Sequence, residues 1–278
     1  MNSRRQFLQT TGVLGLGASM GMPAGQGGAA RSAIPTELKL GIAGYTFLHV
    51  PMDQGIAMMK RLGIEAFSIK DFYLPLDSDA AKVSEVQGAF AAAGIRIYGA
   101  GVIYMKTQAE VDRAFAYTKL LGVELIIGVP NPELLGYVEQ KVKETGIRVA
   151  VHNHGPEDKL YPSPVTVWEH IKGLDERIGL CLDIGHAARA GADPVKAVRD
   201  YGSRIFDMHI KDLAVLTPEY HPAVLGRGVL DIPGLLRTLK GRRYAGYCSI
   251  EFEMDMTDPF PGIAESAGYF RGVLNGEG

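Results

Sequence analysis

Two histidines separated by a single asparagine follow an apolar, strand-like run in "RVAVHNH". Side chains alternate between the two faces of a strand, so His152 and His154 share one face and Asn153 takes the other. Paired imidazoles at a strand end could bind a metal ion, transfer protons, or serve only as polar residues of a loop. This segment by itself leaves all three interpretations open.

Three later strand-like segments also carry metal-binding residue types near their ends. Asp183 lies in "CLDIGH", His209 in "DMHIKD" and Glu251 in "SIEFE". Together with His152 they form a mixed nitrogen and oxygen set, which suits Mn, Zn, Fe, Co or Ni better than Mg or Ca. The alternative is that the acids cap helices and the histidines bind loop carbonyls. Equivalent positions on four consecutive strands favour one divalent metal ion, with Mn, Zn, Co or Fe preferred over Mg.

A repeating pattern of helix, glycine and strand predicts how these residues are positioned. Helical stretches end at Gly63, Gly94, Gly122 and Gly146, where a left-handed residue is expected, and β-branched runs follow at once. Alternating strands and helices require parallel strands. The eight predicted strands lie near 38–44, 64–70, 95–99, 124–128, 147–152, 179–183, 204–210 and 246–252. We therefore predict an α/β fold, a single (β/α)8 TIM barrel over 37–278, with its active site at the carboxyl ends of the strands.

Composition excludes several other classes of protein. The 278 residues suffice for one such barrel, and the net charge of −2, without a long basic run, gives no reason to expect nucleic-acid binding.

By strand parity, Cys181 shares the face of Asp183 whereas Cys248 faces away from Glu251. We therefore predict two free, buried thiols.

The first 36 residues have a different character. Ser3, Arg4, Arg5, Phe7 and Leu8 match the core positions of a twin-arginine export signal, and a Gly/Ala-rich stretch without charge follows until Arg31. We interpret 1–36 as a signal or flexible segment, which predicts a periplasmic protein. The stretch is too short and glycine-rich for stable membrane insertion, beyond the tether that an uncleaved signal would provide. Because twin-arginine export carries folded proteins, this interpretation mildly favours a bound metal.

From about residue 37 onward, the chain resembles the xylose isomerase-like TIM barrels, the sugar phosphate isomerase/epimerase superfamily. The motifs "LCLDIGH", "DMHIKD", "LGRGVLDIPGL" and "SIEFE" carry the resemblance, in order and at similar intervals. It implies a metal held at positions 152, 183, 209 and 251, and a substrate contact for His186. Two departures stand out, because relatives usually have glutamate at the position of His152 and an acid at that of Arg227. The two-glutamate mechanism therefore does not transfer to this chain.

The residues fit proton abstraction next to the carbonyl of a sugar or keto-sugar. Glu251 would remove the proton, and the side chains that would return or deliver protons are His154, His186 and Lys211. The predicted substrate-binding residues are Lys70, Asp71 and Arg227, although Lys70 and Asp71 could equally form a surface ion pair.

This chemistry predicts a sugar isomerase or epimerase with a small carbohydrate substrate. A lyase or hydratase acting on a keto-sugar would use the same metal site, and a metal-containing sugar-binding protein without turnover is the other alternative. Of the two paired imidazoles, we expect His152 to bind the metal and His154 to face the substrate. The reverse assignment, or ligation by both, stays open at this point.

Overall fold

The structure is a computed structural model and describes residues 37–276. Eight parallel strands close into a barrel in the order β1-β10-β7-β6-β5-β4-β3-β2, with elements numbered along the chain. These strands are β1 (Lys39–Ala43), β2 (Ala66–Ile69), β3 (Arg96–Met105), β4 (Leu125–Pro130), β5 (Arg148–His152), β6 (Ile178–Asp183), β7 (Ile205–Ile210) and β10 (Tyr247–Ile250). The predicted (β/α)8 barrel is confirmed.

Helices cover the outside of the barrel. They are α1 (Met52–Leu62), α2 (Ala80–Ala92), α3 (Gln108–Leu120), α4 (Leu135–Thr145), α5 (Pro164–Ile171), α6 (Ile184–Arg189), α7 (Pro194–Tyr201), α8 (Ile232–Gly241) and α9 (Phe260–Asn275). All four glycines expected at helix ends have φ between 59° and 77°, which other residues adopt at a cost. Within 37–276, no helix is both long enough and apolar enough to span a membrane.

Local side-chain bonds fix where several helices begin. Thr107 forms a capping box with Glu110 at the start of α3, and Asp79, Asp193 and Asp231 accept backbone N–H bonds at the starts of α2, α7 and α8. These caps satisfy N–H groups that the first turn leaves unpaired. They fix the direction in which each helix leaves its loop.

The apolar core has two layers. The interior of the barrel is packed by one cluster, which includes Tyr98, Ala150 and Cys181, and a larger cluster fills the space between strands and helices. Cys248 belongs to the outer layer, and both cysteines are free and buried. The prediction of two free thiols on opposite sides of the sheet is therefore confirmed.

Two predicted strand ends need correction, and the structure adds two short strands. β3 continues to Met105, six residues past its expected end, and a cross-strand shift against β4 accompanies the extension. β10 stops at Ile250, so Glu251 is the first residue after the strand rather than part of it. The two short antiparallel strands β8 (Asp212–Leu213) and β9 (Pro222–Ala223) lie outside the barrel and were not expected.

Candidate metal centre and active site

Four consecutive barrel strands bring His152, Asp183, His209 and Glu251 together. His152 and Asp183 are the last residues of β5 and β6, and Asp183 pairs in register with His209 of β7. The Glu251 N–H donates to Ile210 O over 3.0 Å, which extends the β10–β7 pairing by one residue. All four residues are 5% exposed or less.

The donor atoms of these four side chains face a common point. His152 Nε2 lies 3.1 Å from His209 Nδ1, and His209 Nδ1 lies 3.2 Å from Glu251 Oε1. Asp183 Oδ2 lies 3.6 Å from His152 Nε2 and 4.0 Å from His209 Nδ1. A tetrahedral ion with bonds of about 2.1 Å separates its ligands by about 3.4 Å. The four residues could therefore hold one divalent ion with little rearrangement.

Asp183 uses its two oxygens for different purposes. Oδ1 accepts the His186 N–H over 2.8 Å and caps α6, so part of the helix-capping alternative is also correct. Oδ2 is buried, lies 2.9 Å from Lys211 Nζ, and faces the donor atoms of the cluster. The cap fixes the carboxylate plane, so that the second oxygen is held in position for an ion.

Asn153 joins the ends of β5 and β6. Its amide donates to Asp183 O over 3.0 Å, and its carbonyl accepts the Asp183 N–H over 3.0 Å. Because Asn153 points to the strand face opposite His152, this pair of bonds holds the two strand ends together from behind the cluster.

Burial and charge set the protonation of the cluster. Burial lowers the pKa of His152 to about 3, which keeps its imidazole neutral and its lone pair available. Burial alone would raise the pKa of Asp183 and of Glu251, but neighbouring imidazoles and the Lys211 ammonium lower both, so the two carboxylates stay ionised. Burial opposes charge on His209, yet contacts with Cys181 and Glu251 raise its pKa above the usual value. A neutral imidazole and two carboxylates suit a cation.

Lys211 places a buried positive charge beside the cluster. Its Nζ lies 2.9 Å from Asp183 Oδ2 and donates to Glu251 Oε2 over 2.6 Å and to Glu253. Burial lowers the pKa of Lys211, but these three carboxylates outweigh it and raise the pKa well above the usual value. Lys211 is therefore a fixed cation, which can bind an oxygen atom that gains negative charge.

His154 and His186 lie at the rim of the cluster. The ring centroids of His152 and His154 are 4.6 Å apart, and His154 Nε2 lies 3.0 Å from the Tyr104 hydroxyl. Burial lowers the pKa of both rim histidines, that of His186 to about 4. Neutral imidazoles with partly exposed rings can accept or donate protons at neutral pH.

A tyrosine from the loop between β8 and β9 closes this side of the site. The Tyr220 ring lies 5.9 Å from the His186 ring, and Lys211 Nζ lies 5.6 Å from its centroid. Its hydroxyl is buried and finds no hydrogen-bond partner among the described residues. Arg189 holds the loop by donating to Pro218 O, and it also donates to Glu157.

The three predicted substrate-binding residues lie in ion pairs. Lys70 Nζ is 2.7 Å from Asp71 Oδ1, just after β2, as the ion-pair alternative anticipated. Arg227 forms a bidentate pair with Glu265 of α9 and has a side chain that is 69% exposed. These contacts give Arg227 a partner on the outer layer of the barrel.

Three residues that the fold brings to the site had no role assigned to them from the sequence. Tyr220 lies in an irregular loop without any periodic pattern, and its position depends on β8 and β9. Asn153 stands between two histidines, so the alternation of the strand did signal a different environment for it. Glu253 continues the face of Glu251, and this spacing could have identified it as the third carboxylate around Lys211.

Fold and site together define an enzyme-like (β/α)8 barrel with a His/Asp/His/Glu cluster at the carboxyl ends of its strands. A family profile for the xylose isomerase-like TIM barrel matches residues 132–273, just over half of the chain and all four cluster positions. The chain belongs to this family.

The chain is also similar to individual proteins. The chain is 29% identical over 137 residues to the rhizopine catabolism protein MocC of Rhizobium meliloti, a match that covers 44% of this chain and 42% of MocC. It resembles the IolI protein crystallised with a bound zinc atom, with a TM-score of 0.72, 18% identity, and 86% and 99% of the two chains covered. It also resembles the 3-keto-D-glucoside 4-epimerase YcjR of E. coli, with a TM-score of 0.66, 17% identity, and 84% and 99% covered. These two structural similarities show a shared fold.

Proposed function

We propose that this protein is a metal-dependent sugar isomerase or epimerase, which removes a proton next to the carbonyl of a sugar or keto-sugar. The observation that carries the proposal is the convergence of four buried donor atoms within 4.8 Å of one another at the mouth of the barrel. A zinc atom in one protein of the same fold, and an epimerase of a keto-sugar among the others, support it.

The proposed ligands are His152, Asp183, His209 and Glu251. A divalent ion bound there would polarise a sugar carbonyl or hydroxyl and make the adjacent C–H more acidic. Mn, Zn, Co and Fe suit the two imidazoles and two carboxylates better than Mg.

The proposed proton removal and proton return take place on two different sides of the site. In the barrel, β5 and β10 flank β6 and β7, so His154 and Glu251 approach a bound substrate from opposite sides. We assign proton removal to Glu251, and proton return to His154 or His186. Lys211 supplies a positive charge for the enediolate oxygen, since the ammonium is held in place by three carboxylates.

Hydrogen exchange with solvent tests the reaction directly. Protein loaded with Mn or Zn is incubated in D2O with a panel of sugars and 3-keto-sugars, and NMR follows deuterium at each carbon. Deuterium entering the carbon next to the carbonyl, with the carbon skeleton intact, is the expected result. Chelator-treated protein serves as the control and should give no exchange.

Two other outcomes would replace the proposal. Loss of water from the substrate, seen as a new unsaturated product, would identify a lyase or hydratase that uses the same site. Stoichiometric binding without any exchange across the panel would identify a sugar-binding protein.

We also propose that the protein is exported to the periplasm. The support is the twin-arginine pattern around Arg4 and Arg5, which lies outside the residues that the structure describes.

A further inference from the structure

A second cavity lies at the opposite end of the barrel, where the strands begin. Its volume is about 600 Å³. It is lined by the first residues of several strands and by the loops that lead into them. Five of the lining residues are cations: Lys39, Arg96, Arg148, Arg242 and Arg243. Glu124 is the single carboxylate in the lining, so this lower cavity has a formal excess of four positive charges. The whole chain, by contrast, has a net charge of −2.

Strand geometry directs three of these cations toward the barrel axis. Tyr98 and Ala150 belong to the cluster that fills the barrel interior. Arg96 and Arg148 precede them by two residues on the same strands, so they share the inward face one layer lower. Lys39 stands in the same relation to Gly41, whose missing Cβ would meet Ser249 and Tyr98. The three side chains therefore surround the lower mouth of the barrel.

Carboxylates from the described chain do not neutralise these charges. Lys39 Nζ donates to the carbonyl of Ala245, and Arg242 donates to the carbonyl of Arg199. The Arg148 guanidinium lies over the Phe206 ring at 5.1 Å. Within 37–276, no ion pair joins any of the five cations to an acid.

Arg243 is held in an unusual backbone conformation. Its φ is 54°, and it is the one non-glycine residue with a positive φ in the part of the chain that the structure describes. Glycine or asparagine would adopt this conformation more readily. An arginine here keeps a charged side chain at the cavity despite a less favourable backbone.

We propose that the lower cavity is a second ligand site, which binds an oxyanion of the phosphate class. It is separate from the His/Asp/His/Glu cluster. Guanidinium groups match the geometry of phosphate oxygens and bind them in pairs of hydrogen bonds. The walls next to the cations are aromatic, with Tyr98 and Tyr247 stacked at a centroid distance of 4.0 Å. Such walls suit the body of a small phosphorylated molecule, whose phosphate the cations hold.

Titration calorimetry with pyrophosphate and inorganic phosphate tests this proposal, with sodium chloride added to keep the ionic strength constant. Wild-type protein should bind pyrophosphate with one site per chain. Arg148→Gln and Arg96→Gln should each weaken binding by tenfold or more. Arg243→Gly should also weaken pyrophosphate binding. This substitution adds no backbone strain, because glycine adopts a positive φ readily.

The matched control is Arg113→Gln, which removes one exposed cation of α3 away from the cavity and should leave the affinity unchanged. Equal binding by all four variants and the wild type would overturn the proposal, and so would the absence of any binding beyond a chloride control. Enzyme activity is not part of the readout, so the result is independent of the proposed isomerase reaction.

A further binding experiment identifies the source of the phosphate. Glycerol phosphate in solution is compared with vesicles of phosphatidylglycerol, using phosphatidylcholine vesicles as the uncharged reference. Binding of the free ester that is lost in Arg148→Gln identifies a soluble phosphorylated ligand. Binding of the anionic vesicles alone, lost in the same variant, identifies a lipid headgroup as the source at the same site.

Discussion

His152 Nε2 lies 3.1 Å from His209 Nδ1, although the two residues belong to strands separated by β6. The barrel curves enough for their rings to meet, with centroids 4.8 Å apart. Burial keeps His152 neutral, so its lone pair is free for a ligand bond. This contact brings two nitrogen donors to the point where we propose that a metal ion binds.

Replacing Asp183 tests the proposed metal site with little disturbance of the fold. Asp183→Asn keeps an oxygen for the cap of α6 but loses the negative charge that faces the cluster. The loss of a residue that only supports a metal ligand typically lowers metal affinity by about 10- to 100-fold. Because Asp183 is proposed to be a ligand itself, the affinity of Asp183→Asn should fall further than this. Asp231→Asn changes an equivalent helix cap at α8 and is the control. Unchanged metal content in Asp183→Asn, measured by elemental analysis, would remove Asp183 from the ligands.

Substitutions separate the roles of the two paired histidines. His152→Ala should lose most of the bound metal, whereas His152→Glu should retain it, because a carboxylate can replace an imidazole as a metal ligand. His154→Ala should keep the metal and lose turnover, since His154 bonds to Tyr104 at the rim. Metal loss from His154→Ala combined with full occupancy of His152→Ala would reverse the assignment.

The Tyr220 hydroxyl is expected to contact the substrate. Tyr220→Phe should lower kcat/KM by about 2- to 10-fold, as the loss of one hydrogen bond predicts, without lowering the thermal midpoint. Tyr117→Phe is the control, since its hydroxyl donates to Leu74 O and its loss should affect stability instead. Wild-type kinetics in Tyr220→Phe would show that this hydroxyl does not bind substrate.

Asn153 should contribute strongly to stability. Asn153→Ala removes both bonds to the Asp183 backbone and leaves buried polar groups unpaired, so the free energy of unfolding should fall by about 2–4 kcal/mol. Asn131→Ala removes an exposed bond to Glu133 and should change it by less than about 0.5 kcal/mol. Equal denaturation midpoints for the two variants would contradict the role given to Asn153.

Deleting residues 1–36 should separate export from folding. The truncated protein should unfold at the same temperature as the full chain, because the barrel strands and helices begin after this segment. A tagged version should remain in the cytoplasm, and the same should hold for the full chain with Arg4→Lys and Arg5→Lys. A marked loss of thermal stability in the truncated protein would indicate a structural role for the segment.

The sequence predicted the barrel well because its signals are local. Each of the helices α1 to α4 is followed by a glycine with a positive φ, as at Gly63 and Gly146, and a β-branched run comes next. Once the strands are parallel, residues at their carboxyl ends must meet, so the proximity of Asp183 and His209 followed from the fold class.

Contacts made by loops could not be predicted in the same way. The pairing of Arg227 with Glu265 joins residues 38 positions apart on an irregular segment and a helix, and no periodic pattern connects them. Tyr220 reaches the site only because β8 and β9 fold the loop back over the barrel. The end of β10 was also misjudged, since "SIEFE" continues to alternate after the hydrogen-bonded strand has stopped.

The two ends of the barrel differ in charge. At the upper end Asp183, Glu251 and Glu253 outnumber the Lys211 ammonium that they surround. At the lower end the cations Lys39, Arg96 and Arg148 outnumber Glu124. This separation contributes a permanent dipole moment along the barrel axis. In the field of such a dipole, approaching divalent cations are steered toward the upper mouth and anions toward the lower one. Cation capture should therefore slow as ionic strength rises, even if the final affinity of the ligands is unchanged.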